Sequence, residues 1–175
     1  MDWRDIKEFL KDTSKVILLL VVILLLIQYV FSITKVVGNS MYPTLKDEEI
    51  MIINKLKYRI GKINRGEIIS LKYADTKYLI KRVIGLPGEM VEIKNNQVLI
   101  NGEKLNEEYL KKELEYDDFS LTDIGVTKIP EDMYFVLGDN RENSLDSREI
   151  GLVKKEDIIG KISFRFWPLN TFKFF

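Results

Sequence analysis

The 175-residue chain contains no cysteine and no histidine. The absence of cysteine excludes disulfide bonds, thiolate nucleophiles and thiolate metal sites, and the absence of histidine removes the commonest metal ligand and the usual general base. Basic and acidic residues number 27 each, so no net charge attracts the chain to nucleic acid. No spacing of carboxylates resembles a calcium-binding loop. We therefore expect a protein with no metal, no other cofactor and no nucleic-acid partner.

The longest apolar run, residues 16–33, reads VILLLVVILLLIQYVFSI and carries no charge over 18 residues. At about 1.5 Å per residue, a helix of this length nearly spans a hydrocarbon core of about 30 Å. The alternative is a cleavable secretory signal, but its apolar part is typically about 7–15 residues long and leads to an A-x-A-like site. Because TKVVGNS is a poor cleavage site, we expect an uncleaved transmembrane helix over residues 15–33.

The segment before this run, residues 1–14, resembles a helix that lies in the membrane interface, because Trp3, Ile6 and Leu10 share one helical face. Basic residues are more frequent before the run than directly after it. This bias predicts a single-pass protein of the cell membrane with a cytoplasmic N-terminal segment and with residues 34–175 outside.

The rest of the chain is rich in β-branched runs bounded by turn residues. Strands are predicted at residues 50–54, 68–74, 76–85, 133–137 and 160–169, and two Asn-containing turns, at residues 95–96 and 101–102, indicate hairpins. This spacing predicts a mostly β fold, an antiparallel sheet or barrel-like domain. The charged stretch at about residues 95–130 reads as a small inserted subdomain with one short helix.

Two residues offer a reactive pair without histidine. Ser40 lies in GNSMYPTL, a tight turn soon after the apolar run, and as a nucleophile it needs a group that takes its proton. Lys81 lies in the predicted strand KYLIKRVIG among aliphatic residues, where burial would lower its pKa and favour the neutral amine. From the residues alone, two alternatives stay open: an ordinary turn serine before Pro43, and an edge-strand lysine that blocks aggregation.

A third segment, GDNRENSLDSREIG at residues 138–151, concentrates charge and hydroxyl groups directly after an apolar strand. One interpretation is a solvated loop whose exposed ion pairs contribute little. The other is a rigid polar scaffold that orients a catalytic group. The charged and hydroxyl residues concerned are Asp139, Arg141, Ser144, Asp146, Ser147 and Arg148.

In order along the chain, the apolar anchor, NSMYPTL, YLIKRVIGLPGE and GDNRENSLDSREIG resemble the type I signal peptidases, in the single-span form typical of Gram-positive bacteria. The resemblance covers most of residues 15–168. It implies a membrane-bound serine endopeptidase with a Ser–Lys dyad that removes signal peptides from exported proteins. The implied partners are signal-peptide-bearing preproteins, cut after small residues, and membrane lipid.

The resemblance also implies roles for individual residues. Ser40 would be the nucleophile and Lys81 the general base, while Ser144 would hydrogen-bond the lysine amine. Asp146 and Arg148 would stabilise the loop at residues 138–151 that carries Ser144. By the same resemblance, Asp139, Asn140 and Arg141 are structural, and Arg82 anchors its strand.

Substrate contacts follow from the resemblance as well. Met41, Leu45, Leu79 and Ile80 would line shallow pockets that admit only small side chains, with the substrate bound as an added strand. The Ser40 backbone N–H would stabilise the oxyanion. Gly38 lies where some family members carry a second hydroxyl group that donates to the oxyanion. Two candidates for this second donor therefore stay open here, Asn39 and a water molecule.

Two other classes of protein are alternatives to an endopeptidase. A non-catalytic membrane-anchored β domain that binds exported chains would not need Ser40, Lys81 and Ser144 together, and all three are present. A self-cleaving regulator of the repressor type shares the Ser–Lys logic, but it is cytosolic and carries a DNA-binding domain. The C-terminal segment is rich in aromatic residues, among them Phe164, Phe166 and Trp167. Two interpretations stay open for it: contact with the membrane interface, and packing in the core.

Overall fold

The computed structural model describes residues 2–110 and 115–175. The helices are α1 (Trp3–Val30), α2 (Leu56–Ile60) and α3 (Ser147–Ile150), with short 3-10 turns at Leu121–Ile124, Lys155–Asp157 and Leu169–Thr171. The strands are β1 (Phe31–Lys35), β2 (Ile50–Asn54), β3 (Ile68–Ala74), β4 (Lys77–Gly85), β5 (Val91–Lys94), β6 (Gln97–Ile100), β7 (Glu103–Lys104), β8 (Phe119–Ser120), β9 (Met133–Leu137), β10 (Val153–Lys154), β11 (Ile158–Trp167) and β12 (Lys173–Phe174). The strands pair antiparallel throughout the described residues, which confirms the predicted mostly β fold.

Within the described residues, one helix is long and apolar enough to cross a membrane, the stretch Ile6–Val30 of α1. Its apolar side chains do not pack against the β fold; Leu18, for example, is 64% exposed. A helix that is apolar on every side finds a suitable environment in a membrane. The predicted interfacial segment and the predicted span form this single continuous helix.

The predicted end of the span at residue 33 is wrong. The helix ends at Val30, and residues 31–35 form β1, which pairs with β2. The N–H of Lys55, the residue after β2, donates to the Val30 carbonyl at 2.8 Å. Since this partner lies far along the chain, the local apolar pattern could not reveal where the helix stops.

The main sheet has the strand order β1-β2-β11-β3-β4-β9-β10, and β12 pairs with β11. The predicted strands at residues 50–54, 68–74 and 133–137 match β2, β3 and β9, and β4 begins one residue later than predicted. In this order β4 lies between β3 and β9, but β9 pairs only with its second half, from Arg82 onward, and the first half pairs with β3 alone. The central position of β4 matters because it carries Lys81.

A second sheet, β7-β6-β5-β8, is inserted between β4 and β9. The two predicted hairpin turns are confirmed: Asn95 and Asn96 link β5 to β6 with φ values of 49° and 61°, the left-handed region that asparagine tolerates. A 3-10 turn, Leu121–Ile124, lies at the end of the stretch for which one short helix was predicted, and residues 111–114 in the middle of that stretch lie outside the described residues.

Strand β9 joins the two sheets through its alternating side chains. Tyr134 and Val136 pack into the core of the main sheet, and Phe135 and Leu137 pack into the core under the second sheet. Both faces of β9 are therefore buried, which explains its unbroken apolar sequence. The charged segment at residues 138–151 begins directly after this buried strand.

Candidate active site

Ser40 lies in the turn that follows β1, and its backbone is held from two sides. Gly38 has a φ of 82°, which favours glycine, and its N–H donates to Asp47 Oδ1 at 2.8 Å. The Ser40 carbonyl accepts a hydrogen bond from the Asn140 N–H at 3.0 Å. The turn is therefore attached to the segment after β9, while the Ser40 side chain stays partly exposed.

Lys81 lies on β4 opposite Ile69 of β3 and is 1% exposed. Its Nζ donates a hydrogen bond to Ser40 Oγ at 2.7 Å. The alternative of an exposed lysine that blocks aggregation is wrong, because the Lys81 side chain is buried and its amine points to the serine rather than to solvent. The sheet thus brings into contact two side chains that are 41 positions apart in the sequence.

Burial lowers the pKa of Lys81 from 10.5 to about 8, since an ammonium group loses hydration in this site. The carboxylates of Asp146 and Asp139 oppose this shift by stabilising the charged form, and Arg148 adds to it. A pKa of about 8 leaves about a tenth of the amine neutral at pH 7, about 300-fold more than at the ordinary value. The amine can therefore accept a proton near neutral pH.

Asp146 organises the loop between β9 and α3. Its carboxylate is fully buried, accepts the Gly138 N–H at 3.0 Å, and is bonded by the Arg148 guanidinium at 2.8 and 2.9 Å. Arg148 in turn donates to the Arg141 carbonyl at 2.8 Å. The segment is a rigid polar scaffold rather than a solvated loop.

Arg82, the residue after Lys81, makes a two-pronged ion pair with Asp139. The Nε–Oδ1 and Nη2–Oδ2 distances are 2.8 and 2.6 Å, and the two residues are 8% and 0% exposed. Since Asp139 directly precedes Asn140, which binds the Ser40 carbonyl, this pair ties β4 to the turn that carries Ser40. The anchoring role predicted for Arg82 is consistent with this geometry.

A cleft of about 460 Å³ opens beside the Ser40–Lys81 pair. One wall is the chain from Thr34 to Val37, and the other is the first half of β4. Met41, Leu79 and Ile80 contribute apolar surface to the lining. An extended segment of another chain could lie between these walls with its carbonyl carbon near Ser40.

Comparison with known proteins places this arrangement in a family. The profile described as "Signal peptidase, peptidase S26" matches residues 7–167, nearly the whole chain. The chain belongs to the signal peptidase family.

Individual signal peptidases agree with this assignment. Signal peptidase I S of Bacillus subtilis (strain 168) is 44% identical over 174 residues, which cover 95% of this chain and 94% of the relative. Signal peptidase IB of Staphylococcus aureus (strain MRSA252) is 36% identical over 180 residues, covering 96% of this chain and 94% of the relative. The crystal structure of a signal peptidase I from Enterococcus faecalis V583 superposes with a TM-score of 0.55 at 39% identity, covering 59% of this chain and 99% of that one.

One hydrogen bond expected for a signal peptidase is not formed in this structure. Ser144 Oγ is buried and has no partner among the described residues, whereas Lys81 donates to Ser40. Ser144 instead packs on Gly138, where an added Cβ would lie 2.1 Å from Ser144 Oγ and 2.4 Å from the Ser40 carbonyl oxygen. The missing side chain at Gly138 leaves room for both the Ser144 hydroxyl and the Ser40 carbonyl beside it.

Of the four predicted pocket residues, Leu45 does not line the cleft. It is 0% exposed and packs in an apolar cluster with Met41, Met51 and Ile68. Its part is to support Met41, which does reach the cleft. The Ser40 N–H, predicted to bind the oxyanion, makes no hydrogen bond with the described residues and is free to donate.

Sequence reasoning missed how the inserted subdomain clamps the catalytic loop. Arg141 is 1% exposed, donates to the Gly138 carbonyl at 2.9 Å, and pairs with Glu107 at 2.5 Å. The Tyr109 hydroxyl donates to the same carboxylate at 2.5 Å, and its ring lies 3.8 Å from the Arg82 guanidinium. Burial raises the pKa of Tyr109, so it remains a donor here. No periodic pattern marks these residues in the charged stretch around them.

Proposed function

We propose that Ser40 and Lys81 form the catalytic dyad with which this membrane signal peptidase removes signal peptides from exported preproteins. The observation that carries the proposal is the 2.7 Å contact between Lys81 Nζ and Ser40 Oγ, made by a lysine that is 1% exposed. A buried amine beside a partly exposed hydroxyl is the arrangement that nucleophilic attack without histidine requires.

The first half of the reaction forms an acyl-enzyme. Neutral Lys81 takes the Ser40 proton as Oγ attacks the scissile carbonyl, and the Ser40 N–H donates to the developing oxyanion. The resulting ammonium then protonates the leaving amine, which departs as the new N-terminus of the mature protein. In the second half, Lys81 takes a proton from a water molecule as the water oxygen attacks the acyl-enzyme carbonyl. The ester bond to Ser40 Oγ then breaks, the Lys81 ammonium returns a proton to Oγ, and the signal peptide leaves with a new carboxylate.

The surrounding residues position this pair. Asp146 and Arg148 support the loop that carries Asn140 and Ser144, and the Asn140 N–H binds the Ser40 carbonyl, which fixes the backbone at Ser40. Ser144 supplies an unpaired buried hydroxyl beside the Ser40 backbone, available to the lysine amine when it turns from Ser40 toward the leaving group. Met41, Leu79 and Ile80 provide the shallow apolar surface that admits small side chains.

The arrangement in the membrane follows from the same proposal. Helix α1 anchors the protein with a cytoplasmic N-terminus, and residues 34–175 form an extracytoplasmic catalytic domain with the second sheet as an inserted subdomain. Basic residues before the apolar run and the absence of packing around α1 support this topology. Anchoring keeps the enzyme on the surface where the apolar segments of its substrates lie, which raises their effective concentration.

The test is cleavage of a precursor by the full-length protein in detergent. With alanines one and three residues before the expected cut, we expect cleavage after the second alanine, mapped by mass spectrometry of both products. A matched precursor with leucines at both positions should be cut at least about 100-fold more slowly, since a shallow cleft excludes larger side chains. Binding of the alanine precursor without any cleavage would instead identify a non-catalytic domain that holds exported chains.

A further inference from the structure

A second groove, of about 730 Å³, opens where α1 meets the β fold. Its wall is almost entirely apolar, formed by Ile27 of α1, Phe31 of β1, Ile52 of β2 and Phe164 of β11. Among residues 2–110 and 115–175, Lys55 is the one charged residue that lines it. Unlike the cleft at Ser40, this groove contains no group that takes part in the proposed reaction.

Several contacts place Lys55 and its neighbour Arg59 at the last turn of α1. The Lys55 ammonium donates to the Gln28 carbonyl at 2.6 Å, and the Lys55 N–H donates to the Val30 carbonyl. The Arg59 guanidinium lies 4.2 Å from the centre of the Tyr29 ring. Because Gln28 is the first polar residue within the apolar run and lies two residues before the end of α1, these two cations lie at the depth of lipid headgroups.

Neither cation is neutralised by the protein. Within residues 2–110 and 115–175, neither Lys55 nor Arg59 forms an ion pair, although Lys57 between them is paired with Glu67. No carboxylate lines the groove beside Lys55. The site therefore combines uncompensated positive charge with an apolar channel at the membrane surface.

We propose that this groove binds one anionic phospholipid, with its phosphate on Lys55 and an acyl chain against Ile27, Phe31 and Phe164. Arg59 does not line the groove, but it lies four residues after Lys55, about one helical turn along α2, and adds positive charge nearby. Free phosphate would use the cations but leave the apolar wall exposed, so a lipid fits the whole site. The inference rests on the membrane span in the proposed function, but not on the Ser40–Lys81 chemistry. The groove is lined both by Ile27 of the membrane helix and by Ile52 of β2, which pairs with β1 in the main sheet. A lipid held here would therefore contact the helix and the sheet together and fix the height of the β fold above the membrane.

The experiment measures lipid retained by the full-length protein during native mass spectrometry from detergent. Phosphatidylglycerol and phosphatidylcholine with identical acyl chains are the two probes. We expect one phosphatidylglycerol molecule to be retained at least about fivefold better than phosphatidylcholine, since each nearby cation contributes about fivefold in affinity for anionic lipid. Excess inorganic phosphate should not displace it.

Variants separate a built site from general charge. Lys55→Glu should abolish the preference for phosphatidylglycerol, whereas Lys55→Arg, which keeps the charge, should retain it. Lys62→Glu is the matched control, because it makes the same change of charge at an exposed lysine that does not line the groove. Ile52→Trp narrows the groove and should lower retention of both lipids.

Equal loss in Lys55→Glu and Lys62→Glu would overturn the proposal in favour of surface charge alone, and unchanged retention in Lys55→Glu would overturn it outright. Displacement by inorganic phosphate would show that only the headgroup binds, which also contradicts it. Retention is independent of cleavage, so Ser40→Ala should keep the lipid. A protein that cuts precursors but shows no lipid preference contradicts only this inference, and the reverse result contradicts only the proposed dyad.

Discussion

Lys81→Met is expected to lower kcat/KM for an alanine precursor by at least about 1,000-fold, because the thioether cannot take the Ser40 proton. Ser40→Ala should lose at least as much, since it removes the attacking oxygen. If the two residues act as one unit, the double variant should be no slower than either single variant. Steady-state cleavage by the full-length proteins in detergent, quantified by mass spectrometry, measures all three.

The same Lys81→Met change should stabilise the protein at pH 7 by about 3 kcal/mol, the equivalent of the Lys81 pKa shift. The folded-state pKa of about 8 lies below the ordinary 10.5, so below pH 8 the folded protein carries the full cost of charging a buried amine. Between pH 8 and 10.5 the unfolded chain binds more protons, and the stability of the wild type rises with pH. The advantage of Lys81→Met in thermal unfolding should therefore shrink across that range.

Lys94→Met is the matched control, because Lys94 is exposed at the end of β5 and forms no ion pair in the described residues. It should leave cleavage unchanged and alter stability by less than about 0.5 kcal/mol. Full activity in Lys81→Met would show that another group is the base. Loss of activity together with a lower unfolding temperature would mean that Lys81 supports the fold rather than the reaction.

Asp139→Asn should cause the largest loss of stability, about 3 to 5 kcal/mol, because it leaves the Arg82 guanidinium charged, buried and without its carboxylate. Asparagine has nearly the same shape as aspartate, so the loss of stability measures the removal of the charge rather than the formation of a cavity. For a domain of this size, it corresponds to an unfolding temperature lower by about 10 °C. Thermal unfolding of the full-length protein in detergent, followed by circular dichroism, measures the shift.

Asp117→Asn makes the same chemical change at an exposed aspartate of the inserted subdomain and should shift stability by less than about 0.5 kcal/mol. Adding Arg82→Gln to Asp139→Asn should recover part of the loss, with a coupling of about 2 kcal/mol, since the stranded charge is then removed. Equal effects of Asp139→Asn and Asp117→Asn would contradict the view that the Arg82–Asp139 pair holds the turn that carries Ser40 to β4.

The sequence predicted the fold where a local pattern decides the structure. Residues 50–54 and 68–74 are β-branched runs between turn residues, and both are strands at those positions. The end of α1 was misplaced because pairing with β2, a tertiary contact, converts residues 31–33 from an apolar helix to a strand. Such a switch depends on a partner that the local pattern does not contain.

The candidate site shows the same division. The pairing of Ser40 with Lys81 came from a family resemblance, since strand pattern alone favoured a surface lysine on β4. The clamp of Glu107 and Tyr109 on Arg141 was missed because charged residues in an irregular stretch read as solvated. Only the folded chain shows that Arg141 is buried there, and the position of Ser144 against Gly138 likewise depends on packing.

The most direct test of a neutral Lys81 as the base is the pH dependence of kcat/KM, with a precursor peptide that has no group titrating between pH 6 and 10. The chain has no histidine or cysteine to obscure the result. The account predicts a tenfold rise per pH unit at low pH, a midpoint at about 8 and a plateau above it. A rate that stays flat from pH 6 to 10, or that falls through this range, would contradict it.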